Sequence, residues 1–183
     1  MGQGEWSTRK HGASRPRQWC KVHLGIDAET LEVRAIEVTG SRVGDGPMLP
    51  KPLEQIPPEE PIGTVTADGA YETRACHAAI AAREATAVIP TRRNGRPWKE
   101  TTPGAQARNE ILRASRRFGR AIWRNWSGYH QRSLIETKMR CLKPLGERLM
   151  ARTSNRQTAE LQIRAALLNR FTALGTPETI RVA

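Results

Sequence analysis

The sequence predicts an α/β layered domain, and three observations predict it. Residues 19–26 alternate apolar and polar, as a strand with one buried face does. Residues 62–89 read strand, helix, strand, the spacing of a parallel β-α-β unit. Residues 106–118 and, more clearly, 128–150 carry a helical pattern. Strands first and helices after suit a sheet covered by helices.

Along the chain, residues 1–18 are polar, basic and glycine-rich, with Gly2, Gly4 and Gly12, and read as a loop. Cys20, Val22, Leu24 and Ile26 face one way from the first strand. Trp19, Lys21, His23 and Gly25 face the other, which places His23 on an exposed face. The segment Asp27-Ala28-Glu29-Thr30 reads as a turn into a second strand over 31–39, so 19–39 is a hairpin. Asp45 is a candidate cap for a helix running to Gln55, although Pro52 would remove a backbone hydrogen bond there. Residues 62–67 and 85–89 are strands flanking an alanine-rich helix over 72–83. A basic loop fills 91–104. Ser154 with Gln157 forms a capping box for a last helix, about 155–174, closed by Gly175 and Pro177. The divisions that follow are a basic linker over 1–18, a main domain over 19–150 and a C-terminal helix and tail over 151–183.

Charge narrows the partners. The 183 residues hold 30 Lys and Arg against 18 Asp and Glu, a formal net charge of +12. The excess is uneven. Residues 25–63 carry three basic and eight acidic side chains, whereas residues 91–183 carry twenty and six, or +14. Such a half implies a polyanionic partner, most often nucleic acid, because neutralised phosphates release their counterions. A basic protein of a ribonucleoprotein particle carries the same signal, and charge alone does not separate them. No apolar run approaches the roughly 20 residues that span a bilayer, and the polar N-terminus lacks a signal peptide, so a cytoplasmic location is expected. Cys20, Cys76 and Cys141 form no C-x-x-C pair and read as small buried hydrophobes rather than a zinc site. No glycine-rich nucleotide fingerprint is present, which argues against an ATP requirement.

One segment concentrates chemistry. If residues 128–150 form a helix, Tyr129, Arg132, Glu136 and Lys143 fall within an arc of about 60°. Leu134, Cys141, Leu142, Leu145 and Leu149 lie opposite. A carboxylate among cationic and hydrogen-bonding groups suits phosphodiester chemistry. Carboxylates hold divalent cations, and arginine or lysine positions the phosphate. The alternative is a solvated polar face on which Glu136 and Arg140 pair at i, i+4. Asp68, before Gly69, is either a ligand at the end of a strand or an ordinary turn residue. Arg92, Arg93, Arg96 and Lys99 form either a phosphate-contacting loop or a solvated charge run, as do Arg113, Arg116, Arg117 and Arg120. The five tryptophans could stack on bases, but core or loop-lining roles are as open.

The spacing Tyr129-x2-Arg132-x3-Glu136-x6-Lys143 resembles the Y-R-E-K signature of bacterial insertion-sequence transposases of the DDE superfamily, insertion-sequence-five branch. Other pieces resemble that family in the expected order. They are Gly4-Glu5-Trp6 with Arg9-Lys10-His11-Gly12, Lys21-Val22-His23-Leu24, Val43-Gly44-Asp45-Gly46 and Ala67-Asp68-Gly69-Ala70-Tyr71. The resemblance implies a ribonuclease-H-like mixed sheet with flanking helices. It makes Asp68 and Glu136 the second and third carboxylates of a catalytic triad and ligands of Mg2+ or Mn2+. Tyr129, Arg132, Lys143, Arg92, Arg93, Arg9 and Lys10 become DNA contacts. It also implies double-stranded DNA at insertion-sequence ends as partner. The family's first aspartate lies on a first strand with no counterpart here. The chain alone is therefore expected to lack two-metal catalysis, unless a homo-oligomer or an upstream-frame partner supplies that strand. A non-catalytic DNA-binding remnant or inhibitor of transposition is the rival expectation. Glu72, where the family often has Asp, and Pro52 and Pro144 within expected helices depart from its pattern; Pro144 should kink the helix by Lys143.

Overall fold

The computed structural model describes residues 20–146 and 148–175. The linker over 1–18, with Arg9 and Lys10, and Trp19 lie outside the described residues. Strand β1 (Cys20–Ile26) pairs antiparallel with β2 (Val33–Gly40), Leu24 opposite Ile36. Asp27 builds the turn between them: its Oδ1 accepts the N–H groups of Glu29 at 2.7 Å and Thr30 at 2.8 Å. These bonds hold its carboxyl below the ordinary carboxylate value.

Helix α1 (Pro50–Glu54) follows a 3-10 turn over Gly46–Met48. The expected helix capped by Asp45 is thus broken in two, because its three prolines supply no N–H. Asp45 makes no capping bond and pairs instead with Lys21 at 3.3 Å. Strand β3 (Thr64–Thr66), helix α2 (Arg74–Ala82) and strand β4 (Thr86–Val88) form the expected parallel unit, Thr66 opposite Val88. Helices α3 (Ala105–Phe118), α4 (Arg120–Trp126), α5 (Ser133–Leu142) and α6 (Ser154–Leu174) complete the described chain.

A mixed α/β architecture is therefore present. A single mixed sheet is not: the described strands make two separate two-stranded sheets, β1-β2 and β3-β4. No ladder joins them, because each pair bonds only within itself; α1 packs against both. On the hairpin, Val33 and Ile36 meet Leu142 of α5 and Leu161, Ala165 and Leu168 of α6. Around the parallel pair, Ala67, Ala87 and Ile89 pack with Leu53 of α1 and Ile80 of α2. Each such valine, leucine or isoleucine side chain, fully buried, contributes about 1.5–3 kcal/mol.

Several sequence expectations need correction. His23 is buried and hydrogen-bonds the Thr39 hydroxyl at 2.9 Å, because α1 covers the hairpin face that period-two alternation left to solvent. The helix expected over 128–150 is interrupted. A 3-10 turn covers Tyr129–Arg132, α5 stops at Leu142 and a second 3-10 turn holds Lys143–Leu145. Gly128 in the left-handed region starts the first, and Pro144 accounts for the second. Cys76 is buried, but Cys141 is exposed and Cys20 intermediate. The cap residue of α6 is Thr153, without a side-chain bond, and Gln157 donates to the Ala151 carbonyl at 3.0 Å.

Candidate nucleic-acid and metal site

The parallel pair sets the site. Both strands run in one direction, so the loops after β3 and β4 leave from the same edge, where parallel sheets bind ligands. The Ala67 N–H donates to the Val88 carbonyl at 3.2 Å and keeps the two exits in step. Asp68 follows immediately. Its Oδ1 accepts the Ala70 N–H at 2.8 Å and caps a 3-10 turn over Gly69–Tyr71. Asp68 is therefore a turn-forming residue as well as a strand-end carboxylate. Burial first, then the charges of Asp45 and Asp68, push the Tyr71 phenol up to about 12, so a neutral hydroxyl stands beside that carboxylate.

The loop after β4 is basic and firmly held. The buried Glu72 carboxylate accepts two bonds from Arg108, from Nε at 3.0 Å and Nη2 at 2.8 Å, and its other oxygen lies 3.4 Å from Arg92 Nε. Arg108 is only 2% exposed. It also donates to the Arg96 carbonyl and lies 4.6 Å from the Trp98 ring. Asn109 bonds the backbone of Trp98 in both directions, at 2.8 and 2.9 Å. The backbone of this loop is thereby clamped to α3, while the side chains of Arg92, Arg93, Arg96 and Lys99 stay exposed.

His77 closes the back of this clamp. Its ring meets Trp98 edge-on at 5.2 Å, and neither ring nitrogen has a hydrogen-bond partner. Burial lowers its pKa below the ordinary 6.5; Glu72 raises it and Arg108 lowers it by smaller amounts. His23 is lowered too, again by burial first. The unfolded chain thus takes up these protons more readily. Stability is fully present above pH 6.5 and falls as pH drops through the lowered native values. In urea unfolding, the wild-type midpoint should decline on acidification below pH 6.5, and His77→Phe should flatten part of that decline. Parallel pH profiles would show that His77 carries none of it.

A groove of about 350 Å3 opens at this edge. It is lined by Gly69 after β3, Arg92 and Arg93 after β4, Arg120 and Arg124 of α4, and Tyr129. The 3-10 turn carrying Tyr129 packs against β3. Tyr129 stacks on buried Trp123 at 5.6 Å, and the Arg124 guanidinium lies 5.6 Å from the Tyr129 ring. Arg120 donates to the Thr91 carbonyl, which ties α4 to the β4 exit.

The structure thus brings Tyr129, Arg92 and Arg93 together at one groove, which Gly69, the residue after Asp68, also lines, although Asp68 itself does not. It does not bring Arg132, Glu136 or Lys143 into the same groove. A 3-10 turn winds about 120° per residue, so the shared arc expected of one continuous helix does not form. Glu136, in the first turn of α5 and exposed, pairs with Arg132 at 2.9 Å rather than with Arg140. Lys143 stands beyond the end of α5. Arg124 is a functional candidate that the sequence did not single out, and Arg120 was read there only as part of a phosphate-contacting or solvated charge run. Their i, i+4 separation was readable, but α4 is too short for its period to stand out.

A hard divalent cation needs several oxygen ligands. Asp68 follows β3, whereas Glu136 lies on α5, which packs mainly against β1, α6 and the flanking 3-10 turns, and one oxygen of each is already engaged. Among the described residues, no three His, Cys, Asp or Glu side chains gather as a metal centre. These two carboxylates therefore fit at most part of one. Also among the described residues, no helix is long and apolar enough to cross a membrane.

A family model described as a transposase DDE domain matches residues 1–170. No solved structure matches the chain.

Proposed function

Because this chain belongs to the transposase DDE domain family, we propose that it is the catalytic portion of a bacterial insertion-sequence transposase. On this reading it binds double-stranded DNA at the element's ends. Asp68 and Glu136 are the carboxylates through which it takes part in phosphodiester hydrolysis and strand transfer. The observation that carries the proposal is Asp68 at the exit of a parallel strand, beside an arginine-lined groove. The Y-R-E-K spacing, the insertion-sequence-five branch and the ribonuclease-H-like fold belong to the same proposal.

On this reading each residue has a role. Asp68 and Glu136 contribute oxygen ligands to Mg2+ or Mn2+, which when bound activates water and stabilises the leaving oxygen. Arg92 and Arg93 hold phosphate by charge-assisted hydrogen bonds. Tyr129, backed by Trp123, lines the groove and contacts the DNA backbone there. Arg132 holds Glu136 oriented until substrate arrives. Lys143, at the far end of α5, and Arg9 and Lys10 contact backbone farther along the duplex. A further carboxylate, from an upstream-frame partner or a second copy, completes the centre.

The test is a nicking and joining assay on duplexes bearing the element's ends, with Mg2+. The chain is assayed alone and with the upstream-frame segment. Glu136→Ala should abolish metal-dependent cutting while duplex affinity stays within a few-fold. Cutting that survives this substitution contradicts the proposal. The absence of a three-residue cluster among the described residues favours a second reading, a non-catalytic DNA-binding inhibitor of transposition. That reading predicts no cutting under either condition and competition with an active transposase for the same ends.

A further inference from the structure

We propose that Arg120 and Arg124 of α4, with Arg92 and Arg93, form a preorganised seat for the phosphate backbone of duplex DNA. The seat binds without metal and fixes the strand that passes Asp68. It rests on the transposase reading for the identity of the polyanion, and on the groove itself for its chemistry.

Four guanidinium-bearing side chains line one small groove, and no carboxylate lines it with them. Among the described residues, no acidic side chain forms an ion pair with Arg93, Arg120 or Arg124. The one carboxylate that reaches Arg92 is Glu72, which is buried and already engaged by Arg108. Gathering like charges is unfavourable unless an anion enters between them. Three of the four arginines are also held before any ligand arrives. Arg120 is bonded to the Thr91 carbonyl, Arg92 is tethered to Glu72 and Arg124 rests against Tyr129. Such tethering lowers the ordering cost of binding. Planar guanidinium forks match phosphate oxygens, whereas lysine would offer only a point charge. The groove is open and follows strand exits rather than closing into a cavity, which suits a passing backbone.

The test is duplex DNA binding in EDTA, followed by fluorescence anisotropy across a salt series. If both arginines neutralise phosphates, Arg120→Gln/Arg124→Gln should reduce the slope of log affinity against log salt by about 0.9 for each phosphate no longer neutralised. Arg124→Gln alone should give about half of that reduction. Arg120→Lys should restore most of the slope but not all of the affinity. Arg152→Gln/Arg156→Gln, two exposed arginines before and just inside the start of α6, is the control and should leave the slope near wild type. Unchanged melting temperatures establish that the variants fold. A wild-type slope in the double variant overturns the proposal, as does an equal loss in the control. So does tighter binding of an RNA hairpin than of the duplex. Because the assay contains no metal, failure of strand cutting leaves this result standing, and a flat result here leaves the carboxylate chemistry untouched.

Discussion

Replacing Glu72 by alanine is expected to lower stability by about 3–5 kcal/mol, the usual consequence of stripping the partner from a buried charge. Arg108 would be left 2% exposed with no counter-charge. For a chain of this size, each kcal/mol corresponds to a melting-temperature drop of roughly 2–4 °C, so a fall of about 10 °C is expected. Thermal unfolding followed by circular dichroism measures it. Replacing the pair together, Glu72→Met with Arg108→Leu, should recover much of the loss, since well-packed apolar groups can replace a buried ion pair. The same carboxylate joins the segment after β3 to the basic loop after β4. Glu72→Ala should therefore also loosen Arg92 and Trp98, seen as faster amide hydrogen exchange over residues 92–98. A loss below about 1 kcal/mol would place the pair among weakly coupled surface ion pairs.

Arg83→Ala is expected to cost about 3 kcal/mol, because hydrogen bonds from a charged donor contribute about 1.5–3 kcal/mol each without adding fully. Arg83 donates to four carbonyls, those of Leu53, Ile56 and Pro57 at 2.8 Å and of Glu60 at 2.9 Å. It satisfies the end of α1 and lashes the proline-rich connection that feeds β3. Urea unfolding should show a lower midpoint, with the slope unchanged if the native state stays compact. Arg83→Lys should recover only part of the loss, because one ammonium cannot span four acceptors.

These two residues mark where the sequence was readable and where it was not. The hairpin and the parallel unit were legible, since period-two alternation and the Asp68-Gly69 punctuation are local signals. Their covering layers were not. His23 looked solvent-facing because α1, which buries it, is a five-residue helix hidden among prolines. The stretch from Tyr129 to Leu145 looked like one helix because side-chain type, not backbone winding, carries the periodicity. Gly128 and Pro144 decide the winding. Asp68 was identifiable from its place after a strand. The convergence of Arg92, Arg93, Arg120 and Arg124 was not, since their segments meet only once α4 docks through Trp123. Glu72 offered no local sign that it would be buried between two arginines.

The proposed chemistry depends most on Asp68 and Glu136 serving one cation. Mn2+ titration of the DNA-bound chain, read by electron paramagnetic resonance, tests this directly. Asp68→Asn and Glu136→Gln should each weaken binding at the same site, and combining them should add little beyond the stronger single effect. Mn2+ binding curves for both single variants that overlay the wild type would contradict it.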